Sequence, residues 1–359
     1  LNLKEYETVV PTSQEYYVET SGSNDKPIRD LHNYIKSKLI SRIGSSPSLQ
    51  GKLMIADLSC GRGGDLKKYL SIQNNIEFIL GLDISSNINE ASQRYYYTSD
   101  PKPKALFLQY DTSKSILRRE GCLGNSEQCD VLLQMILDRS YSLPNEYNTI
   151  QKGYSGIATH GFDIVSSQFS LHYYFKNEET LRGFCENVRD LCSSGGYFIG
   201  TCYDGMRVYN AFKQTGLDTL EMKGDYDDII YQIKKRYDIP IFDYDPEQRN
   251  KMYGHEIEVY MASIGQPIVE YLVNFEFFID MMKEYGFEVA TLPDKSREFN
   301  PIKESIYPFE AIINQTDDIR ENDDKFVKRT NNTSLYSVKN NPGYRQLSSL
   351  NNLFIFQKK

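Results

Sequence analysis

Short apolar runs alternate along this chain with stretches in which apolar residues recur at helical spacing, a pattern that predicts a mostly parallel sheet wound by crossover helices. The runs lie at 54–58, 78–82, 105–110, 162–168, 196–202, 287–292 and 353–356. Before the first of them, Ile28, Leu31, Ile35 and Leu39 repeat at helical spacing behind Pro27, which a first helical turn tolerates. That helix places His32, Asn33 and Lys36 on or beside the edge of its buried face. Two later helices are well punctuated: 178–192, stopped by Gly195-Gly196, and 270–285, stopped by Gly286, with Leu272, Phe275, Ile279 and Met282 as its core stripe. Glu270 then reads as a first-turn residue favoured by the helix dipole. The segments 114–161 and 203–267 exceed a minimal strand-helix repeat. Both follow strand ends, so they are expected over the edge of the sheet where ligands bind. Residues 1–26 read as a flexible linker, leaving 27–359 as one domain, and the Asn- and Asp-rich stretch 314–341 reads as a mobile loop.

The most informative turn is Asp57-Leu58-Ser59-Cys60-Gly61-Arg62-Gly63-Gly64-Asp65-Leu66, where the first apolar run breaks into glycines and restarts as a helix. Glycines there let a nucleoside approach bare backbone, although they also suit an ordinary tight turn. About twenty residues on, the second run ends in Asp83, whose carboxylate can accept two hydrogen bonds from ribose hydroxyls. A dinucleotide fingerprint needs a third glycine where Leu66 stands, and no Gly-Lys-Ser/Thr follows, so pyrophosphate and Walker-type loops are both excluded. Asp65 would repel a pyrophosphate but tolerate the sulfonium of S-adenosylmethionine. Asp111, after the third run, can accept from an adenine amino group, while Asp-Thr-Ser equally caps a helix. The fourth run continues into Gln168, Phe169, His172 and Tyr173, which fall where substrate would meet cofactor.

Composition narrows the picture without redrawing it. The 359 residues, 40% hydrophobic and 25% charged, suit a globular chain with ample core. A net charge of −8 argues against wrapping duplex nucleic acid, and leaves room for a small anionic ligand on a local basic cluster. No apolar run reaches the roughly 18 residues of a membrane span. Six cysteines without a Cys-x-x-Cys pair, beside four histidines, argue against zinc and for reduced thiols in a cytosolic setting. The start at Leu1, with no signal peptide, suggests a domain cut from a longer polypeptide.

At this point the chain resembles the messenger-RNA cap guanine-N7 methyltransferases. The resemblance rests on the helix His32-Asn33-Tyr34-Ile35-Lys36-Ser37-Lys38-Leu39-Ile40 and the turn Cys60-Gly61-Arg62-Gly63-Gly64-Asp65-Leu66. It rests equally on Ser167-Gln168-Phe169 running into His172-Tyr173, on Gly195-Gly196-Tyr197-Phe198-Ile199-Gly200-Thr201, and on Pro267-Ile268-Val269-Glu270-Tyr271-Leu272. It implies a Rossmann-like class I S-adenosylmethionine-dependent methyltransferase fold from residue 27 onward and the conversion of GpppN-RNA to m7GpppN-RNA, releasing S-adenosylhomocysteine. Position by position, it implies that Lys36, Asp57, Ser59, Gly61, Asp83, Asp111, Gln168 and Tyr173 line the S-adenosylmethionine site. Asn33, Arg62, Lys68, Arg94, Phe169, His172, Tyr173 and Glu270 would face the cap guanosine and its triphosphate, with His172, Tyr173 and Glu270 positioning the base. No metal is implied. Two positions depart from the pattern: Ser59 stands where members have glycine, and Asn351 lies near where they usually offer a tyrosine to the cap.

The segment 260–271 and the ending Leu353-Phe354-Ile355-Phe356-Gln357-Lys358-Lys359 look closer to the capping enzymes of large cytoplasmic DNA viruses. That likeness implies triphosphatase and guanylyltransferase domains upstream in the same polypeptide, a capped RNA 5′ end as partner, a stimulatory subunit as a further one, no membrane, and a cytoplasmic setting: host cytoplasm, viral factory or virion. Chemistry is consistent with it, since guanine N7 is already a lone-pair nucleophile and needs alignment, not a general base. Bland readings stand beside these: His172 as a satisfied core histidine, Lys67 and Lys68 as a solvated helix face. Alternatives are a methyltransferase for another RNA position or a small molecule, and a nonenzymatic cap-binding subunit that keeps the fold.

Overall fold

The structure is a computed structural model that describes residues 25–72, 76–99, 101–142, 151, 153–224, 227–292, 299–323 and 333–359. The expected linker therefore lies almost wholly outside the described residues. The main sheet is built from β1 (Leu53–Leu58), β2 (Ile76–Asp83), β3 (Lys104–Gln109), β4 (Phe162–Gln168), β5 (Cys192–Tyr203), β10 (Phe287–Val289), β11 (Ile306–Pro308) and β12 (Asn351–Lys358). Its order is β10-β12-β5-β4-β1-β2-β3, with β11 also paired to β12. The five strands β5-β4-β1-β2-β3 are parallel, and β12 runs antiparallel to β5, with Asn351 opposite Tyr203 and Leu353 opposite Thr201.

The central runs are apolar on both faces because helices cover both. Ile55, Ile79, Ile164, Ile199 and Ile355 pack with Leu31, Ile35, Leu39 and Ile43 of α1 (Lys26–Gly44). On the opposite face Ala56, Leu80, Val165, Phe198 and Phe354 pack with Phe184 and Val188 of α6 (Glu178–Leu191) and with Phe278 and Met282 of α8 (Phe275–Glu284). Between β2 and β3 lies α3 (Ile88–Tyr96), and after β4 the single turn α5 (Leu171–Tyr174). The glycine turn feeds α2 (Leu66–Leu70), and α4 (Ser126–Leu137), capped by Asn125, occupies the middle of the first long segment.

One expected insertion gains its structure, and two expectations are corrected. The segment after β5 forms α7 (Gly205–Thr215) and then an antiparallel sheet of β6 (Thr219–Lys223), β7 (Ile229–Lys235), β8 (Glu256–Met261) and β9 (Pro267–Tyr271). The helix expected from 270 starts only at Phe275, behind Asn274, whose side chain accepts from Phe277 N–H. Glu270 sits in β9 opposite Ile257, so the helix-dipole reading of it fails. Pro267, Ile268, Val269 and Tyr271 suit an edge strand better than a first helical turn, and Asn274 is the true cap. Finally, the stretch expected as a mobile loop carries α9 (Thr316–Asn322) and α10 (Thr333–Asn340), with Ile319, Leu335 and Val338 buried; residues 324–332 lie outside the described residues. Short β11 was not anticipated at all. Among the described residues, no helix is long and apolar enough to cross a membrane, no group of side chains could hold a metal ion, and all six cysteines are free.

Candidate active site

The carboxyl ends of β1, β2, β3, β4 and β5 converge with Glu270 of β9 around one edge of the main sheet. At the β1 end, Ser59, Gly61 and Gly63 all take positive φ (64°, 53° and 70°). For Gly63 the constraint is packing as well as conformation, since a Cβ there would meet Ala91 Cβ of α3 at 3.0 Å. Gly61 faces open space and donates its N–H to Asp83 Oδ2 at 2.7 Å. Asp83 Oδ1 accepts from Ser85 N–H at 2.8 Å and Ser85 Oγ at 2.5 Å. Three of the roughly four acceptor positions of this buried carboxylate are thus in use, and a ribose hydroxyl would exchange with the Ser85 hydroxyl. Ile84, 58% exposed beside Asp83, offers an apolar wall that sequence reasoning missed. Asp111 Oδ1 accepts from Ser113 N–H and Oγ, the local turn weighed against an adenine contact, while its Oδ2 accepts nothing among the described residues.

Ser59 adopts the left-handed conformation that glycine takes more cheaply, so the turn keeps its shape despite the substitution. Its Oγ lies 2.6 Å from the Tyr174 hydroxyl, which also reaches Thr112 Oγ1 at 2.5 Å. Burial pushes the Tyr174 phenol up to about 12.

Beneath the turn, Lys36 of α1 and Lys68 of α2 reach Asp65 at 2.8 and 2.6 Å. Burial acts to raise the Asp65 carboxyl, but the two ammonium groups outweigh it and hold it at about 2. Asp65 is therefore already neutralised before any sulfonium arrives. Lys68, also donating to Gly64 C=O, is 10% exposed, which removes the solvated-face reading for it. Burial and the charge of Asp65 push the neighbouring Asp57 well above the usual carboxylate range.

On the substrate side, Phe169 is held at φ 56°, a costly conformation for a bulky residue, and its ring stacks on His32 at 5.1 Å and 20°. Lys36 Nζ sits 5.8 Å from the same ring. His32 was placed only at a helix edge by its spacing; standing four residues before Lys36, it shares that residue's helical face, the signal that could have found it. Its Nε2 is buried without a hydrogen bond, and burial together with Lys36 lowers it to about 3. His172 Nε2 and Glu270 Oε1 lie 3.5 Å apart, both nearly inaccessible. Burial lowers His172 to about 3 and raises Glu270 to about 8, so the unliganded pair is neutral at pH 7. His172 Nδ1 and Glu270 Oε2 have no hydrogen-bond partner among the described residues. Tyr173 packs edge-on to His172 at 4.3 Å, and Tyr203 lies 6.5 Å from it. Because Tyr203 stands opposite Asn351 in the β5–β12 register, a tyrosine reaches this edge from the neighbouring strand. Asn351 instead donates to Leu347 and Ser348 C=O.

Other candidates stand further off. Gln168 is turned into the sheet, donating to Ser166 Oγ and accepting from Thr201 Oγ1. Asn33 is exposed. Arg62 pairs with Glu90 at 3.1 Å, and Glu90 with Arg94 on the outer face of α3.

The strand order, with reversed β12, the glycine turn and Asp83 define a Rossmann-like S-adenosylmethionine-dependent methyltransferase fold carrying an antiparallel insertion sheet. The chain belongs to the mRNA (guanine-N(7))-methyltransferase domain family, whose model matches residues 12–307. It is similar to an mRNA cap guanine-N(7) methyltransferase of Aspergillus niger, 27% identical over 304 residues, covering 80% of this chain and 45% of that protein. It is also similar to a probable mRNA-capping enzyme of Acanthamoeba polyphaga mimivirus, 28% identical over 289 residues, covering 75% of this chain and 21% of that protein. The chain thus spans less than half the length of these relatives. The solved CcbJ methyltransferase of Streptomyces caelestis aligns with a TM-score of 0.45 at 10% identity, over 95% of this chain and 100% of that one.

Proposed function

We propose that this chain transfers the methyl group of S-adenosylmethionine to N7 of the guanine that caps messenger RNA. The observation that carries the proposal is the buried pair His172–Glu270, whose Nδ1 and Oε2 lack partners among the described residues, set beside the glycine turn at the same sheet edge. A flat base with donors at N1 and N2 would satisfy Glu270, which accepts from both once ionised; charge-assisted bonds of this kind strengthen as positive charge grows on the ring. Phe169, His172 and Tyr173 supply walls for the base. Arg62, backed by Arg94 through their shared Glu90, would oppose the triphosphate with Asn33 at the rim, whereas Lys68 is engaged by Asp65 under the turn.

The turn fits a nucleoside cofactor, because Gly61 leaves open space where a side chain would stand and Asp83 keeps an acceptor position for a ribose hydroxyl. Ser59, Gly61, Asp83, Asp111 and Tyr173 would hold it, with Lys36 and Asp57 supporting the turn from beneath and Gln168 bracing β4 against β5. When bound, S-adenosylmethionine supplies a methyl group already activated by the sulfonium. The protein's own part is positional: Lys36 and Lys68 neutralise Asp65 under the turn, Asp83 fixes the Gly61 backbone, and Glu270 and His172 fix the plane of the base, so that nucleophile and methyl are held in line. No residue needs to remove a proton before transfer.

A finer reading, the methyltransferase part of a viral capping polypeptide with triphosphatase and guanylyltransferase parts upstream, acting in the host cytoplasm, is carried by the sequence likeness, and the similarity to a probable mRNA-capping enzyme of mimivirus, of which the chain covers 21%, is in line with it. The test of the central proposal is transfer of labelled methyl to GpppA, followed by digestion. Label on guanine N7 is expected; label elsewhere, or none with S-adenosylhomocysteine bound, overturns it.

A further inference from the structure

Helix α3 starts at the cofactor edge, where Ala91 packs on Gly63, and ends in aromatic residues with no role in the site. Tyr96 and Tyr97 are 59% and 80% exposed, and their rings meet edge to face at 5.3 Å. Neither hydroxyl has a partner among the described residues. Lys102 Nζ lies 5.6 Å from the Tyr96 ring while donating to the Tyr95 and Tyr96 carbonyls that end the helix. Glu90, Arg94 and Tyr97 are spaced i, i+4, i+7 and so form one stripe along α3, about 10 Å long at the helical rise. Arg62, next to Gly63, joins the head of the stripe through its ion pair with Glu90. The path therefore runs without a break from the glycine turn to the exposed rings. Among the described residues on this path Glu90 is the one acidic side chain, shared by Arg62 and Arg94, and Lys102 is the third cation.

Exposed rings beside fixed cations suit single-stranded nucleic acid, in which every base offers a face to stack and every phosphate a charge. They suit it here in a chain whose overall charge is −8, so the attraction is local to this stripe. From this geometry we infer that the outer face of α3 is a track for the RNA that follows the cap, with Arg62 and Arg94 facing phosphates and Tyr97 and Tyr96 stacking unpaired bases. The inference rests on the cap-methyltransferase reading for its direction, because the cap end defines where the RNA enters. It adds a second binding element outside the base pocket, and a reason for the enzyme to prefer RNA to a free cap dinucleotide.

The experiment compares GpppA with a GpppA-capped RNA of about twelve nucleotides, using wild type, Tyr96→Ala/Tyr97→Ala and Tyr97→Phe. The double alanine variant is expected to raise KM for the capped RNA about tenfold and leave KM for GpppA unchanged, as loss of base stacking requires. Tyr97→Phe keeps the ring and should stay near wild type. Equal KM values for the alanine variant and wild type on the capped RNA overturn the inference, as does an equal loss on both substrates. A change of oligomeric state or of subunit binding with unchanged RNA KM also overturns it, assigning the rings to a protein. If wild type methylates neither substrate, the cap reading fails, and fluorescence anisotropy with an uncapped 5′-triphosphate RNA of the same sequence still decides the track: weaker binding by the alanine variant upholds it, unchanged binding removes it.

Discussion

Glu270→Gln should stabilise the protein, and increasingly so as pH rises. In the wild type the carboxyl is buried in β9 with only His172 at 3.5 Å, and burial raises it from an ordinary 4.5 to about 8. The folded chain therefore holds this proton more tightly than the unfolded chain. The associated stability is fully present below pH 4.5 and is lost as pH climbs through 8. At about 1.4 kcal/mol per unit, the full loss approaches a ceiling of about 5 kcal/mol. Glutamine keeps the shape, carries no charge, and can donate its amide N–H to His172 Nε2, so it escapes that loss. The difference between variant and wild type should be near zero at pH 5 and reach about 3–5 kcal/mol at pH 9, on the order of 4–7 °C in Tm for a chain of this size. Thermal unfolding followed by circular dichroism across that range measures it. His172 and His32, both lowered by burial to about 3, act in the opposite sense: their contribution is present above 6.5 and is lost as pH falls through 3. They are common to both proteins and cancel. A Tm difference that is constant with pH, or that shrinks toward pH 9, refutes the reasoning.

Three further outcomes are expected. Because Glu270 must be ionised to accept two guanine donors, KM for GpppA should fall about tenfold per unit as pH rises toward 8 and then level; a flat profile contradicts this. Asp83→Ala removes the acceptor that fixes Gly61 and Ser85, and isothermal titration should show S-adenosylhomocysteine affinity down about tenfold or more with KM for the cap little changed; equal losses would contradict the assignment. Ser59→Gly gives up the bond to Tyr174 but relieves the left-handed conformation, whereas Ser59→Ala gives up the bond and keeps the strain. In urea unfolding the glycine variant should lie within about 0.5 kcal/mol of wild type and the alanine variant about 1–2 kcal/mol below it; alanine outranking glycine would contradict the strain.

The sheet was readable because its strands are buried on both faces and so announce themselves as apolar runs, as at 54–58 and 162–168. The turn at Gly61 and Gly63 was readable because backbone geometry demands glycine there, and Asp83 because strand β2 must end where its ligand edge begins. Glu270 was expected on a helix and lies in a strand. A five-residue edge strand followed by Asn274 and a helix shares its apolar positions with a longer helix, and only pairing with β8 separates the two. The antiparallel insertion sheet was hidden for the same reason, since its short strands depend on one another and not on local pattern. His32 and Tyr203 were missed because their roles arise from tertiary neighbours: the left-handed Phe169 in one case, the register with Asn351 in the other. The helices in 314–341 were masked by Asn and Asp, which favour caps and turns over helix interiors unless residues such as Ile319 and Val338 are buried.

The central claim is that the pocket of Glu270 and His172 recognises the cap guanine while the glycine turn separately holds the cofactor. The most direct measurement is methyl transfer to GpppA by Glu270→Ala beside its calorimetric affinity for S-adenosylhomocysteine. Transfer to guanine N7 abolished with cofactor affinity nearly intact is the expected result; equal loss of both, or retained transfer, would contradict the account.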